Sequence, residues 1–182
     1  MIILASGSPR RKELLKLITD DFKIVVSDAD ESVGEDVLPS ELTEILSIRK
    51  AEAVVNLVND DDVIISADTV VALDNRILGK PKDRQDAFNM LKMLSGKTHN
   101  VITGVTVLKG DKRETFSVCT EVTFYALTDD EINCYLNNDE YKDKAGSYGI
   151  QGFGGLFVEK INGDYNNVVG LPVGRIYQEI KK

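Results

Sequence analysis

Asp68 interrupts the apolar run Val63–Leu73, and it is the residue in this chain most out of keeping with its neighbours. Strand propensity and burial both disfavour an aspartate there, and an unpaired buried carboxylate is costly. Either Asp68 lies on the wet face of an edge strand, or it faces a cleft, a cation or a metal. The apolar flanks on both sides favour the second reading. Thr69 then points to the opposite face unless the strand bulges, because successive side chains alternate along a strand. A second constellation opens the chain, where Ser6, Gly7, Ser8 and Pro9 lead into Arg10 and Arg11. Ser8 suits a helix N-cap and Pro9 the first helical position. Two arginines at a helix start oppose the dipole, which makes sense if an anion sits there. Both side chains in water is the alternative. Two arginines beside a Ser-Gly-Ser turn tip the balance toward a phosphate.

Further charge is spread along the chain. The polar run Ser27–Ser32 carries Asp28, Asp30 and Glu31 directly after an apolar segment. One of these carboxylates could join Asp68 in holding a divalent ion, or the run is a solvated acidic loop. Lys50 lies near the apolar stripe of a long helix, and Lys80 sits in the rigid turn Gly79-Lys80-Pro81. Either lysine alone reads as a surface residue; with Arg10 and Arg11 they supply enough charge for a triphosphate. The glycine-rich run Gly146–Gly155 offers backbone that a ligand can approach closely. It follows neither the Walker phosphate-loop pattern nor the dinucleotide-binding glycine fingerprint.

Composition narrows the function class. The 182 residues hold 22 basic and 30 acidic side chains, a net charge of −8. That balance argues against nucleic acid or anionic membrane as partner, which call for clustered positive charge. It leaves small phosphorylated ligands open, since those need only a local basic pocket. No stretch approaches the roughly 20 apolar residues of a membrane span, and the first residues do not read as a signal peptide. Cys119 and Cys134 lack metal-ligand spacing and are expected to be reduced, as in a cytoplasmic protein. With His99 the one histidine, a His-rich zinc site is excluded, and His99 itself reads as structural. Any metal must be held by carboxylates and water, which favours magnesium or manganese.

The elements that must position these groups follow from periodicity and caps. Strands are expected at Ile2–Leu4 and Phe22–Val26, with a helix over Pro9–Ile18 between them. A long helix runs from Pro39 to about Val58, with Leu42, Ile45, Leu46, Ala53, Val54 and Leu57 as its apolar face. The strand Val63–Leu73 turns at Asp74–Arg76 into a short return at Ile77 and Leu78. Asp83 caps a helix to about Leu94; Asn100–Lys109 and Arg113–Tyr125 form a hairpin; Thr128 caps a helix over Asp129–Asn137. A strand at Leu156–Ile161 and a helix after Leu171-Pro172 complete the order. This predicts an α/β (α+β) fold, a mixed twisted sheet flanked by helices, with residues 1–182 as one domain in two lobes around a central cleft.

These residues resemble a known family, the Maf-like nucleoside triphosphate pyrophosphatases. The likeness runs through LASGSPRRKELL, SDADES, RKAEAV, SADTVV, LGKPKD, LSGKTHNVITGV, DKAGSYGIQG and GDYNNVVGLP, in order and spacing over almost the whole chain. It implies hydrolysis of a nucleoside triphosphate to the monophosphate and pyrophosphate with a divalent metal, Mg²⁺ or Mn²⁺. By position, Asp68 is implied as the acid–base residue that activates water and, with Glu31, as a metal ligand. Ser6, Arg10 and Arg11 belong to the phosphate-binding turn, with Glu31, Lys50 and Lys80 completing the polar site. Arg11, Thr69 and Gln151 match the branch that prefers dTTP and UTP, and Arg11 helps to choose the base while Arg10 binds phosphate. The resemblance also admits 7-methyl-GTP as substrate, a nucleotide-binding inhibitor of septum formation, and a homodimer.

Overall fold

In the computed structural model, which describes residues 1–26, 28–34 and 37–182, a seven-stranded mixed sheet forms the backbone of the molecule. Its strands are β1 (Ile2–Leu4), β2 (Phe22–Ile24), β3 (Val63–Leu73), β4 (Arg76–Leu78), β5 (Thr98–Lys109), β6 (Lys112–Phe124) and β7 (Val158–Asn162). They lie in the order β2-β1-β3-β5-β6-β7, with β4 on the far half of β3. β1 is parallel to both β2 and β3, and all other pairings are antiparallel. The expected mixed sheet flanked by helices is therefore present. The turn from β3 into β4 is made by Asp74 (φ 50°) and Asn75 (φ 62°), residue types that tolerate the left-handed region.

Six helices flank the sheet among the described residues: α1 (Pro9–Leu15), α2 (Pro39–Glu52), α3 (Arg84–Leu94), α4 (Asp129–Leu136), α5 (Tyr165–Val169) and α6 (Val173–Ile180). The predicted caps are in place. Ser8 Oγ accepts from Arg11 N–H, Asp83 from Asp86 N–H, and Thr128 with Glu131 closes a capping box. Ends differ from the sequence expectation. α1 stops at Leu15 instead of Ile18, its last turn tightened by Leu17→Leu14 and Ile18→Leu15 bonds, which leaves Leu17 exposed. β2 ends at Ile24, two residues early, and β7 starts at Val158 after a 3₁₀ turn over Phe153–Phe157. α5 was not foreseen; Asp164 caps it through Asn166 N–H (2.7 Å).

The packing of α2 corrects a second expectation. The helix ends at Glu52, short of Val58, and Leu57 lies in a 3₁₀ turn beyond it, 67% exposed. Leu46 and Val54 are buried as expected, but the face pressed on the sheet also carries Thr43, Ser47 and Ala51, all fully buried. The cause lies on β5. A Cβ at Gly104 would stand 2.3 Å from the Thr43 carbonyl carbon, so bare backbone there lets helix and strand touch. At that distance only small side chains fit between them. The polar ones are satisfied: Ser47 Oγ pairs with Thr106 Oγ1 (2.8 Å), and Ser66 Oγ donates to the Ser47 carbonyl (2.6 Å).

The other face of the sheet bears two apolar clusters. One gathers Leu4, Leu14, Leu15, Ile65, Ala67, Leu171 and Ile176; the other gathers Val71, Leu91, Leu94, Val101, Phe124, Ile132 and Phe157. Thr69 and Thr103, hydrogen-bonded to each other at 2.9 Å, lie between them on paired positions of β3 and β5. A polar gap between two cores is where a ligand can enter without cutting either.

Candidate active site

β1 is short, β3 is long, and the cleft is made by that mismatch. Pairing of β1 with β3 ends at Leu4 and Ile65, the last bond on that edge running from Ala5 N–H to the Ile65 carbonyl (2.8 Å). β4 takes up the same edge only at Val71. Among the described residues no strand covers Ser66–Val70 on that side, so side chains from both faces of β3 reach the gap. Asp68 and Thr69 do alternate as expected, and both line one cavity of about 1210 Å³. It opens beyond the carboxyl end of β1, the position at which open α/β sheets bind ligands.

On the α2 side the site is ionic. Lys50 Nζ lies 2.6 Å from Asp68 Oδ1 and 2.9 Å from Glu31 Oε1. The Lys50 and Asp68 side chains are each 14% exposed, so solvent screens them little. The hydrogen bond from Lys50 is the main reason that Glu31 is held below the usual carboxylate range. Of the three acidic residues after β2, only Glu31 lines the cavity among the described residues. Asp30 instead accepts from Ser32 N–H (2.9 Å) and Oγ (2.6 Å), closing a local turn. Arg49 donates to the carbonyls of Asp30 and Ser32, on either side of Glu31. Ser27, at the head of this run, lies outside the described residues.

On the α1 side the site is held by neutral groups. Arg11 donates from Nε to the Gly170 carbonyl (2.8 Å), from Nη1 to Ser6 Oγ (3.2 Å) and from Nη2 to Thr69 Oγ1 (3.0 Å). Burial pushes its pKa down, with the charge of Asp68 opposing. Arg10 also lines the cavity and makes no hydrogen bond to protein among the described residues. The helix behind both arginines has only seven residues. The case for an anion here therefore rests on guanidinium and hydroxyl groups more than on a helix dipole.

A third wall comes from the turn at Lys80 and the run before β7. Lys80 and Gln151 line the cavity, as expected, and Gly146 N–H donates to the Gly79 carbonyl (3.2 Å), tying the two segments together. Three charged cavity residues escaped the sequence analysis, Glu140, Asp143 and Lys144. Burial first, then the nearby Arg10 charge, pushes the Lys144 pKa down, with the charges of Glu140 and Asp143 opposing. A charged pair just ahead of a glycine-rich run was the available signal. All nine predicted residues, Ser6, Arg10, Arg11, Glu31, Lys50, Asp68, Thr69, Lys80 and Gln151, thus meet in one cavity.

His99 stands apart. It is 2% exposed, packs edge-on against Phe124 and Tyr148, and pairs through Nε2 with Tyr148 Oη at 2.8 Å. Burial lowers its pKa to about 4, so it is a neutral core residue. Cys119 and Cys134 are free and exposed. No helix among the described residues is long and apolar enough to cross a membrane. As for a metal, no described group of three or more His, Cys, Asp or Glu forms a cage. The donor set nonetheless suits a small hard cation, because Asp68 and Glu31 converge on one point where the Lys50 ammonium now sits. Magnesium is commonly held by one or two carboxylates together with water and substrate phosphates.

Comparison with known proteins agrees with this geometry. The family model for Maf-like protein matches residues 1–182. A Bacillus cereus protein named dTTP/UTP pyrophosphatase is 51% identical over 181 residues, covering 100% of this chain and 94% of the relative. A Bacillus anthracis protein of the same name matches with the same identity and coverage. Among solved structures, the Staphylococcus aureus Ham1 protein aligns over 68% of this chain and 71% of its own, with a TM-score of 0.50 at 14% identity. That likeness is one of fold alone.

Proposed function

The chain belongs to the Maf-like family, and from that premise we infer that it hydrolyses dTTP and UTP to the monophosphate and pyrophosphate. The observation that carries the reading is the single cavity in which Asp68, paired with Lys50, faces the arginine turn. Water attacks the α-phosphorus, the bond to the bridging oxygen breaks, and pyrophosphate leaves. Asp68 takes the proton from the attacking water. Lys50 holds Oδ1, which leaves Oδ2 as the oxygen that turns to water. Arg10 and Lys80 neutralise the leaving pyrophosphate, with Lys144 on the same wall. Ser6 Oγ accepts from Arg11 Nη1 and from Ser8 N–H, bracing the guanidinium and the turn, and keeps its own hydroxyl proton to donate to a phosphate oxygen.

Asp68 and Glu31 would hold a divalent cation, Mg²⁺ or Mn²⁺, which supplies charge neutralisation of the triphosphate. Base choice falls to the neutral side. Arg11 keeps donors beyond its three protein bonds, and the Gln151 amide offers both a donor and an acceptor. Together they complement the carbonyl and imino edge that uracil and thymine share. Thr69 fixes Arg11 from below.

The test is incubation of the purified protein with dTTP, UTP, CTP and 7-methyl-GTP plus Mg²⁺ or Mn²⁺. Pyrophosphate release, fastest from dTTP and UTP, is the expected result. Orthophosphate in its place sinks the bond assignment, and preference for 7-methyl-GTP sinks the base assignment.

A further inference from the structure

Gln151 occupies the tip of the turn over Gly149–Gly155, is exposed, and makes no side-chain hydrogen bond among the described residues. Its position is therefore set by the backbone of that turn. Inside the turn, Gly152 N–H donates to the Gly149 carbonyl (3.3 Å) and Gly155 N–H to the Gly152 carbonyl (3.0 Å). Two backbone bonds are modest restraint on a glycine-rich segment, because glycine has the most backbone freedom to lose.

Ile150, one residue before Gln151, packs against both apolar clusters and holds the near end of the turn; the far end is held by one side chain. Glu140 accepts from Phe153 N–H at Oε2 (2.9 Å) and from Gly154 N–H at Oε1 (3.2 Å). Hydrogen bonds to an ionised acceptor are about twice as strong as neutral ones, and here both carboxylate oxygens are used on successive amides. The turn is shaped around this carboxylate. A Cβ at Gly152 would stand 2.4 Å from Oε2, so only glycine lets the carboxylate seat there. Glu140 is itself braced from below, its carbonyl accepting from Lys144 Nζ. The buried Tyr135 hydroxyl stays neutral, since burial and then the Glu140 charge push its pKa up. Glu140 also lines the cavity, so the clamp acts at the ligand's own wall.

We propose that Glu140 is a positioning residue for base selection, fixing the turn that presents Gln151 to the nucleotide. This rests on the reading above in which Gln151 faces the base. Without the carboxylate the turn loosens, Gln151 loses its fixed place, and uracil and cytosine nucleotides become harder to tell apart.

The experiment measures kcat and KM on UTP and CTP for wild type, Glu140→Ala, Glu140→Gln, Gln151→Ala and the Glu140→Ala/Gln151→Ala double variant. Glu140→Ala is expected to shrink the UTP-over-CTP ratio of kcat/KM by about tenfold, chiefly through KM. Glu140→Gln, which keeps one acceptor oxygen, recovers part of the ratio. The double variant discriminates no worse than Gln151→Ala, because the two residues act in series. Equal losses on both substrates, or additive losses in the double variant, overturn the proposal. A ratio changed by Glu140→Ala but untouched by Gln151→Ala overturns the route through Gln151. Amide exchange at Phe153 and Gly154 reads the clamp without any turnover. Unchanged exchange in Glu140→Ala overturns the proposal even in a protein that hydrolyses no triphosphate, a result that would separately end the proposed function.

Discussion

Asp68 and Thr69 are neighbours on one strand and belong to two sides of opposite electrostatic character. On the α2 side, three ionised groups meet: Lys50 sits within 2.9 Å of both Asp68 and Glu31. On the α1 side are two cations, Arg10 and Arg11, and Arg11 is held only by a carbonyl and two hydroxyls. The ionic side satisfies its own charge and is built to hold or pass a proton. The neutral side leaves a positive charge to be shared with whatever enters. Charges compensated within the protein serve chemistry here, and a charge braced by neutral dipoles serves recognition.

Substitutions separate the two sides. The largest effect is expected from Asp68→Asn, which keeps shape and removes the base. General-base catalysis is worth about 10²–10⁴-fold, so kcat should fall by that much while the melting temperature stays near wild type. Pyrophosphate release and a thermal melt check it, and near-normal kcat would remove Asp68 from the mechanism.

Arg11→Lys should act on the other side. A lysine cannot donate in three fixed directions, so kcat/KM for UTP should fall about 10- to 100-fold, mainly through KM. The family resemblance implies that Arg11 helps to choose the base. Its buried bonds to Gly170 and Thr69 mean that stability should drop as well, by about 1–3 kcal/mol in urea melts. A loss confined to kcat, as for Asp68→Asn, would erase the distinction between the two sides.

The smallest effect concerns acid. His99 lies behind Tyr148, a cavity residue on the recognition side, and burial holds its pKa near 4 against an ordinary 6.5. The unfolded chain takes up this proton first as pH falls. The contribution of His99 is therefore intact above pH 6.5, declines between 6.5 and about 4, and declines no further below that. The slope is about 1.4 kcal/mol per pH unit. From pH 7 to pH 5, wild type should lose about 2 kcal/mol more than His99→Gln in urea unfolding.

Much of this was legible in the chain itself. Asp68 betrayed itself by interrupting an apolar strand, Ser8 and Pro9 by capping grammar, and Thr128 by the same rule. The failures are equally specific. Of the apolar face expected for α2, Leu46 and Val54 are buried, but the residues pressed on the sheet include Thr43, Ser47 and Ala51, because Gly104 on a strand 61 residues after Thr43 brings the sheet too close there for larger side chains. Asp28, Asp30 and Glu31 could not be ranked by composition. Their roles separated only once Arg49 fixed the loop and Lys50 chose Glu31.

Local sequence carries the order of every element but α5, most of the caps, and the set of residue types available for phosphate chemistry. Periodicity and capping are local, written within a few residues, so they can be read in one dimension. Only the tertiary structure decided that β1 stops early enough to expose both faces of β3. It also brought Lys50 to Asp68 across 18 positions and Arg11 to Gly170 across 159. Such pairings depend on strand register and helix approach, which are set by the whole sheet and by no short segment of it.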